Sequence, residues 1–83
     1  MEIYSVTTTY NGAKASDDYT SSTLYSSLQS ATKHLQSERK AIFNDNPWLK
    51  NEDCIVSDTD KYFCVSDTDE SYEVVISKET VHD

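Results

Sequence analysis

The chain of 83 residues has one glycine, one proline, one tryptophan, one methionine and two cysteines, and only seven basic residues against fifteen acidic ones. It has no apolar run of membrane-spanning length and no basic segment followed by an apolar one. Membrane insertion and secretion are therefore not expected, and a cytoplasmic setting is. Two cysteines without an export signal point to reduced thiols rather than a disulfide framework. They make no zinc site, because only His34 and His82 remain as nitrogen ligands and neither has ligand spacing. No Asn-x-Ser/Thr sequon occurs. Nor is there a catalytic motif: a nucleophilic cysteine with His34 as base would need a third orienting group and a pocket, and neither is indicated. The expectation is a protein that is not an enzyme and takes no cofactor.

What is present is one small domain (1–83), rich in tyrosine, with a lopsided charge. Residues 1–43 carry four acids and four bases, so residues 44–83 hold the entire formal charge of −8. Such an anionic half repels nucleic-acid backbones and anionic membranes and steers basic protein surfaces towards itself.

Glu2 to Tyr10 is β-branched and aromatic with period two, and reads as a strand. Asn11-Gly12 follows, the dipeptide suited to a type I′ hairpin turn. The partner strand would fall within Ala13 to Thr20, with an ordered polar loop as the alternative. Thr20 to Thr23 offers N-cap oxygens, and Leu24, Leu28, Ala31, Leu35 and Ile42 form a stripe that predicts a helix over Thr23 to Phe43. Asp17 and Asp18 before it, and Lys33, His34, Arg39 and Lys40 towards its end, suit the helix dipole. In the connector 44–52, Pro47 stops the helix and can open one further turn capped by Asn46. Trp48 and Leu49 are expected to close one end of the core.

The stretch 53–81 reads as an acidic β meander with strands at about Asp53 to Ser57, Lys61 to Ser66 and Ser71 to Val81. Loop lengths place Ser57 opposite Lys61, Ile55 opposite Phe63, Cys54 opposite Cys64, Val65 opposite Tyr72 and Phe63 opposite Val74. One face then collects Ile55, Phe63, Val65, Tyr72, Val74 and Ile76 for the helix. The other carries Cys54, Val56, Tyr62, Cys64, Glu73 and Val75, to be covered by the N-terminal strands or a second subunit, or to meet a partner. The turn acids Asp58, Asp60, Asp67, Asp69 and Glu70 are of cation-ligand type, yet they lack EF-hand spacing, and turn chemistry explains them better. The fold expected is α+β: one long helix on an antiparallel sheet of four strands, or five if Asn11-Gly12 makes a hairpin.

The opening Ile3-Tyr-Ser-Val-Thr-Thr-Thr-Tyr-Asn-Gly12, the serine-rich capping, the Leu28-x-x-Ala31-x-x-x-Leu35 helix and the closing meander resemble small acidic proteins encoded by bacteriophages, anti-CRISPR and other anti-defence proteins among them. The resemblance is one of architecture and composition. It implies a stoichiometric inhibitor that binds a host defence protein, such as a CRISPR effector, in the host cytoplasm, with no direct nucleic-acid contact. The charge map nominates Asp58, Asp60, Asp67, Asp69, Glu70, Glu73 and Tyr62 as partner-binding residues. The alternative is a structural phage domain that forms a homodimer through the outer sheet face.

Overall fold

In the computed structural model, which describes residues 2–12 and 18–80, the alternating opening run forms strand β1 (Glu2–Asn11). It is followed by β2 (Tyr19–Tyr25), helix α1 (Leu28–Asp45), two 3-10 turns (Pro47–Lys50 and Glu52–Cys54), and strands β3 (Ile55–Asp58), β4 (Tyr62–Ser66) and β5 (Ser71–Thr80). The strands make one antiparallel sheet in the order β2-β1-β5-β4-β3, and α1 covers one of its faces. The expected α+β architecture is present, with five strands.

The N-terminal hairpin forms differently from the expectation. Asn11 is the last residue of β1 and lies opposite Ser71, and no described residue has positive φ, so Asn11-Gly12 is not a type I′ turn. Tyr10 pairs instead with Tyr19. A two-residue turn would have placed an alanine beside Tyr10; the observed pairing gives it an aromatic neighbour, with ring centroids 5.7 Å apart. Gly12 lies close to the Tyr10 ring: a Cβ there would stand 2.9 Å from the Tyr10 hydroxyl, so a larger residue would have to displace that ring. Of the segment proposed for the partner strand, Tyr19 and Thr20 belong to β2, and 13–17 lie outside the described residues.

The helix begins five residues later than its apolar stripe suggests. Thr23, Leu24 and Tyr25 extend β2, and Leu24 is 63% exposed opposite Ser5 rather than in the core. The Thr/Ser-rich run has the β-branched and aromatic content of a strand, and β1 offers it a full row of backbone partners. Capping passes to Ser27, whose Oγ accepts from the Ser30 amide at 3.2 Å. No acid lies in the first turn and no base in the last, so the dipole arrangement expected from Asp18 and Lys40 does not arise; Asp17 is outside the described residues. Pro47 opens the 3-10 turn as expected, although Asn46 does not cap it with its side chain, which instead donates to the Ile42 carbonyl at 3.0 Å.

The core lies between α1 and the sheet. Ala31, Leu35, Ile42 and Phe43 of the helix pack on Val6 of β1, Phe63 and Val65 of β4, and Val74 of β5, with Tyr72, Ile76, Cys54 and Ile55 around them. Phe43 and Phe63 meet edge to face at 5.3 Å. The helix-facing set expected from the meander is thus the set that is used. Leu49 closes one end and is fully buried, whereas Trp48, expected beside it, is 55% exposed.

The β4–β5 register is the expected one, with Val65 opposite Tyr72 and Phe63 opposite Val74. The β3–β4 register is not. Ile55 pairs with Val65, Ser57 with Cys64 and Asp58 with Phe63, with a bulge between Ile55 and Ser57. Cys54 ends a 3-10 turn and is not opposite Cys64, so the outer-face pair of thiols does not form. The turn chemistry explains the shift. Thr59 closes the loop on Tyr62, amide to carbonyl at 2.9 Å, which leaves Asp60 and Lys61 as the turn and places Asp58 opposite Phe63. Val81, the expected end of the last strand, lies outside the described residues. None of the described helices is long and apolar enough to cross a membrane.

Candidate protein-binding site at the acidic end of the sheet

Antiparallel order brings the end of β1, the start of β2, the β4–β5 turn and the C-terminal end of α1 to one end of the sheet. Asn11 faces Ser71, and Asn46 donates to the Tyr72 hydroxyl at 3.4 Å. Asp18, Asp45, Asp67, Asp69 and Glu70 gather there, and none of them forms an ion pair with a described residue. Hydrogen bonds hold three of them. Asp67 accepts the amides of Asp69 and Glu70 at 2.8 and 2.9 Å and the Trp48 indole N–H at 3.1 Å. The two amides do most to lower its carboxyl below the usual range, so it stays ionised. Glu70 accepts from the Tyr10 hydroxyl at 3.1 Å, and Asp18 accepts from the Gly12 amide at 2.8 Å.

Aromatic rings lie among these carboxylates. Tyr10 stacks at a tilt on Tyr72 at 4.7 Å and on Tyr19 at 5.7 Å, and Tyr19 and Trp48 are each about half exposed, at 52% and 55%. Tyr72 sits within the group, half-buried. Its phenol is pushed above the ordinary value by burial and then by Glu70, Tyr19 and Asp45, with the Asn46 hydrogen bond opposing. The result is a rim of fixed negative charge around rigid rings with polar tips. Tyrosine and tryptophan dominate protein–protein hot spots because they supply large contact area at little rotamer cost.

Of the residues the charge map nominates, Asp67, Asp69 and Glu70 belong to this end. Asp58 and Asp60 flank the β3–β4 turn at the other end of β4, about 17 Å away for a strand of this length. Asp58 is engaged by Arg39 through two hydrogen bonds of 2.9 Å, which lower its carboxyl and cancel its charge locally. Tyr62 and Glu73 lie on the face away from α1, where the Tyr62 hydroxyl donates to Glu73 Oε2 at 2.7 Å. That bond first, with burial second, pushes the phenol up to about 12. Cys64 beside them has its thiol pushed up, chiefly by burial, and remains a protonated neighbour. The N-terminal strands extend the sheet beside β5 and do not cover this face.

Other polar groups are committed elsewhere. His34 is held between the Tyr25 hydroxyl at 2.9 Å and Glu38 at 3.1 Å, and so ties the end of β2 to α1. A shallow depression of about 200 Å³ is lined by Arg39, Phe43, Lys50 and Ile55, smaller than the clefts that hold organic ligands. Among the described residues no three His, Cys, Asp or Glu side chains converge where a metal ion could sit.

The sequence pattern does not single out Asp18, Asp45 or Tyr19 for this end, since they come from three separate segments. A legible signal was the concentration of tyrosine in strands whose other residues are small. Comparison with protein-family models, with curated proteins and with solved structures finds no match for this chain.

Proposed function

We propose that the chain is a non-enzymatic protein-binding inhibitor of the phage-encoded anti-defence kind, whose acidic end occupies a basic, nucleic-acid-binding surface of a host protein such as a CRISPR effector. The observation that carries this reading is the meeting of five carboxylates, outside any ion pair among the described residues, with the half-exposed Trp48 and Tyr19 at one end of the sheet. Carboxylates at this end accelerate encounter with a cationic surface, and the rings provide contact once it is reached. Asp67, Asp69 and Glu70 carry the interaction with Asp18, Asp45, Trp48 and Tyr19; Glu73 and Tyr62 border it on the outer face, and Asp58 and Asp60 are remote from it.

The test is capture from a bacterial lysate at low and high salt by the native chain and by a variant combining Asp67→Asn, Asp69→Asn and Glu70→Gln. Capture that weakens with salt, and is lost in the variant while Asp60→Asn leaves it intact, supports the reading. Unchanged capture and unchanged salt dependence in the triple variant refute it. A second reading, a structural domain that self-associates through the outer face, draws on Val56, 65% exposed, and half-buried Val75. It calls for a dimer that Val56→Asp disrupts.

A further inference from the structure

The sheet has two edges, and they are built differently. β3 is four residues long, is broken by a bulge, and ends at Asp58 under the Arg39 guanidinium. Short length, a bulge and a charge are the usual guards against strand addition. β2 has none of them: its seven residues, Tyr-Thr-Ser-Ser-Thr-Leu-Tyr, pair with β1 in unbroken register from Tyr19 to Tyr25, contain no charge or proline, and are exposed except for Tyr25. With β1 on one side only, its outer row of backbone N–H and C=O groups faces outward.

Charge selects the occupant of this edge. The formal charge of −8 lies in residues 44–83, and β2, in the neutral half, is a strip along which two copies can meet without opposing like charges. A basic strand, by contrast, would find no carboxylate on β2 to receive it. Full antiparallel overlap of two β2 strands places Ser22 on Ser22, Ser21 on Thr23, Thr20 on Leu24 and Tyr19 on Tyr25, and keeps both sheet faces continuous. This pairing sets the exposed Leu24 beside a threonine methyl and gives the exposed Tyr19 an aromatic neighbour. Asp18 then falls opposite Ser26 rather than another acid.

We infer that two copies of the chain associate through β2, antiparallel about Ser22, into a ten-stranded sheet with both helices on the same side. The contact is isologous, so it closes at two. A contact made by one seven-residue strand is smaller than the roughly 800 Å² per partner of a standard complex, so a weak, concentration-dependent dimer is expected. It is distinct from the outer-face dimer and shares only Tyr19 with the acidic end.

Sedimentation equilibrium of the intact chain from about 10 µM to 1 mM is the primary test. The mass should rise towards a dimer, and more readily at high salt, because screening removes the repulsion between the two anionic chains. This salt trend is opposite to that of capture at the acidic end. Ser22→Lys sets two like charges on the dyad and should raise Kd about tenfold or more. Ser22→Cys should yield a covalent dimer on mild oxidation, because Cα atoms at the central pair lie about 4.5–5.5 Å apart, within disulfide reach. Mass mapping distinguishes this bond from any formed by Cys54 or Cys64, and circular dichroism checks that each variant keeps the native fold. A monomer at 1 mM in high salt overturns the inference. So does a dimer that Val56→Cys locks and Ser22→Cys does not.

Discussion

The indole N–H of Trp48 donates to Asp67 Oδ2 at 3.1 Å and joins the 3-10 turn after α1 to the β4–β5 turn. It is a bond between two exposed groups, so it orients the ring more than it stabilises the fold. Leu49, the next residue, points the other way and is fully buried. One short turn thereby anchors the core with one side chain and presents an aromatic surface with the other.

That geometry has a fluorescence signature. Trp48 is the single tryptophan, and it stands among carboxylates, so its emission should be red-shifted and more strongly quenched by caesium than by iodide. The difference should shrink as salt rises, and Asp67→Asn should reduce it. Equal quenching by the two ions at low salt would contradict the electrostatic environment described.

Tyr62 should titrate late. Its hydrogen bond to Glu73 keeps the phenol protonated up to about 12, so absorbance titration should show one tyrosine ionising well above the ordinary value of about 10. Glu73→Gln removes the charged acceptor and should bring that step down towards the others.

Two leucines from one apparent stripe should respond oppositely. Leu35→Ala empties a fully buried site and should cost about 2–5 kcal/mol in urea denaturation, enough to unfold much of a domain this small. Leu24→Ala changes an exposed strand residue and should stay within about 0.5 kcal/mol. A large loss at Leu24 in the monomer would favour its placement in the helix.

The Arg39–Asp58 pair fastens α1 to the end of β3. Its bidentate geometry at a partly exposed site should give a double-mutant coupling of about 0.5–1 kcal/mol, less in high salt. The Asp58 carboxyl is lowered in the folded chain, by the Arg39 hydrogen bond first. Its contribution is therefore complete above the unfolded value of about 3.9, and is lost as pH falls from there through the depressed folded value. Asp58→Asn should accordingly flatten the acid limb of the stability profile below about pH 4 and leave its slope near neutrality unchanged.

The places where the sequence reads differently from the fold share a cause. Leu24 falls on a helical period with Leu28, Ala31 and Leu35, and periodicity cannot tell that Thr20 to Tyr25 has a ten-residue strand waiting to pair with it. Asn11-Gly12 favours a tight turn locally, yet β1 gains one more pair with β5 by remaining extended through Asn11. Loop counting gives the β4–β5 register because the Asp67 carboxylate closes that turn by accepting the amides of Asp69 and Glu70. The same counting misplaces β3, by three residues at Ser57 and by two at Ile55, because Thr59 closes a shorter loop on Tyr62 and a bulge then takes up one residue. The acidic end shows the same division, since Asp67, Asp69 and Glu70 are contiguous in the chain while Asp18, Asp45, Tyr19 and Trp48 converge on them only through folding.

By itself, the sequence determined the class of fold, the helix-facing set of the meander and the concentration of charge in the second half, because these follow from side-chain periodicity and composition along contiguous residues. Tertiary structure alone decided where the helix starts, how β3 is registered, which acids are neutralised and which edge is left open. Those depend on competition for backbone partners and on ion pairs between distant segments, such as Arg39 with Asp58, and no local pattern records the outcome of that competition.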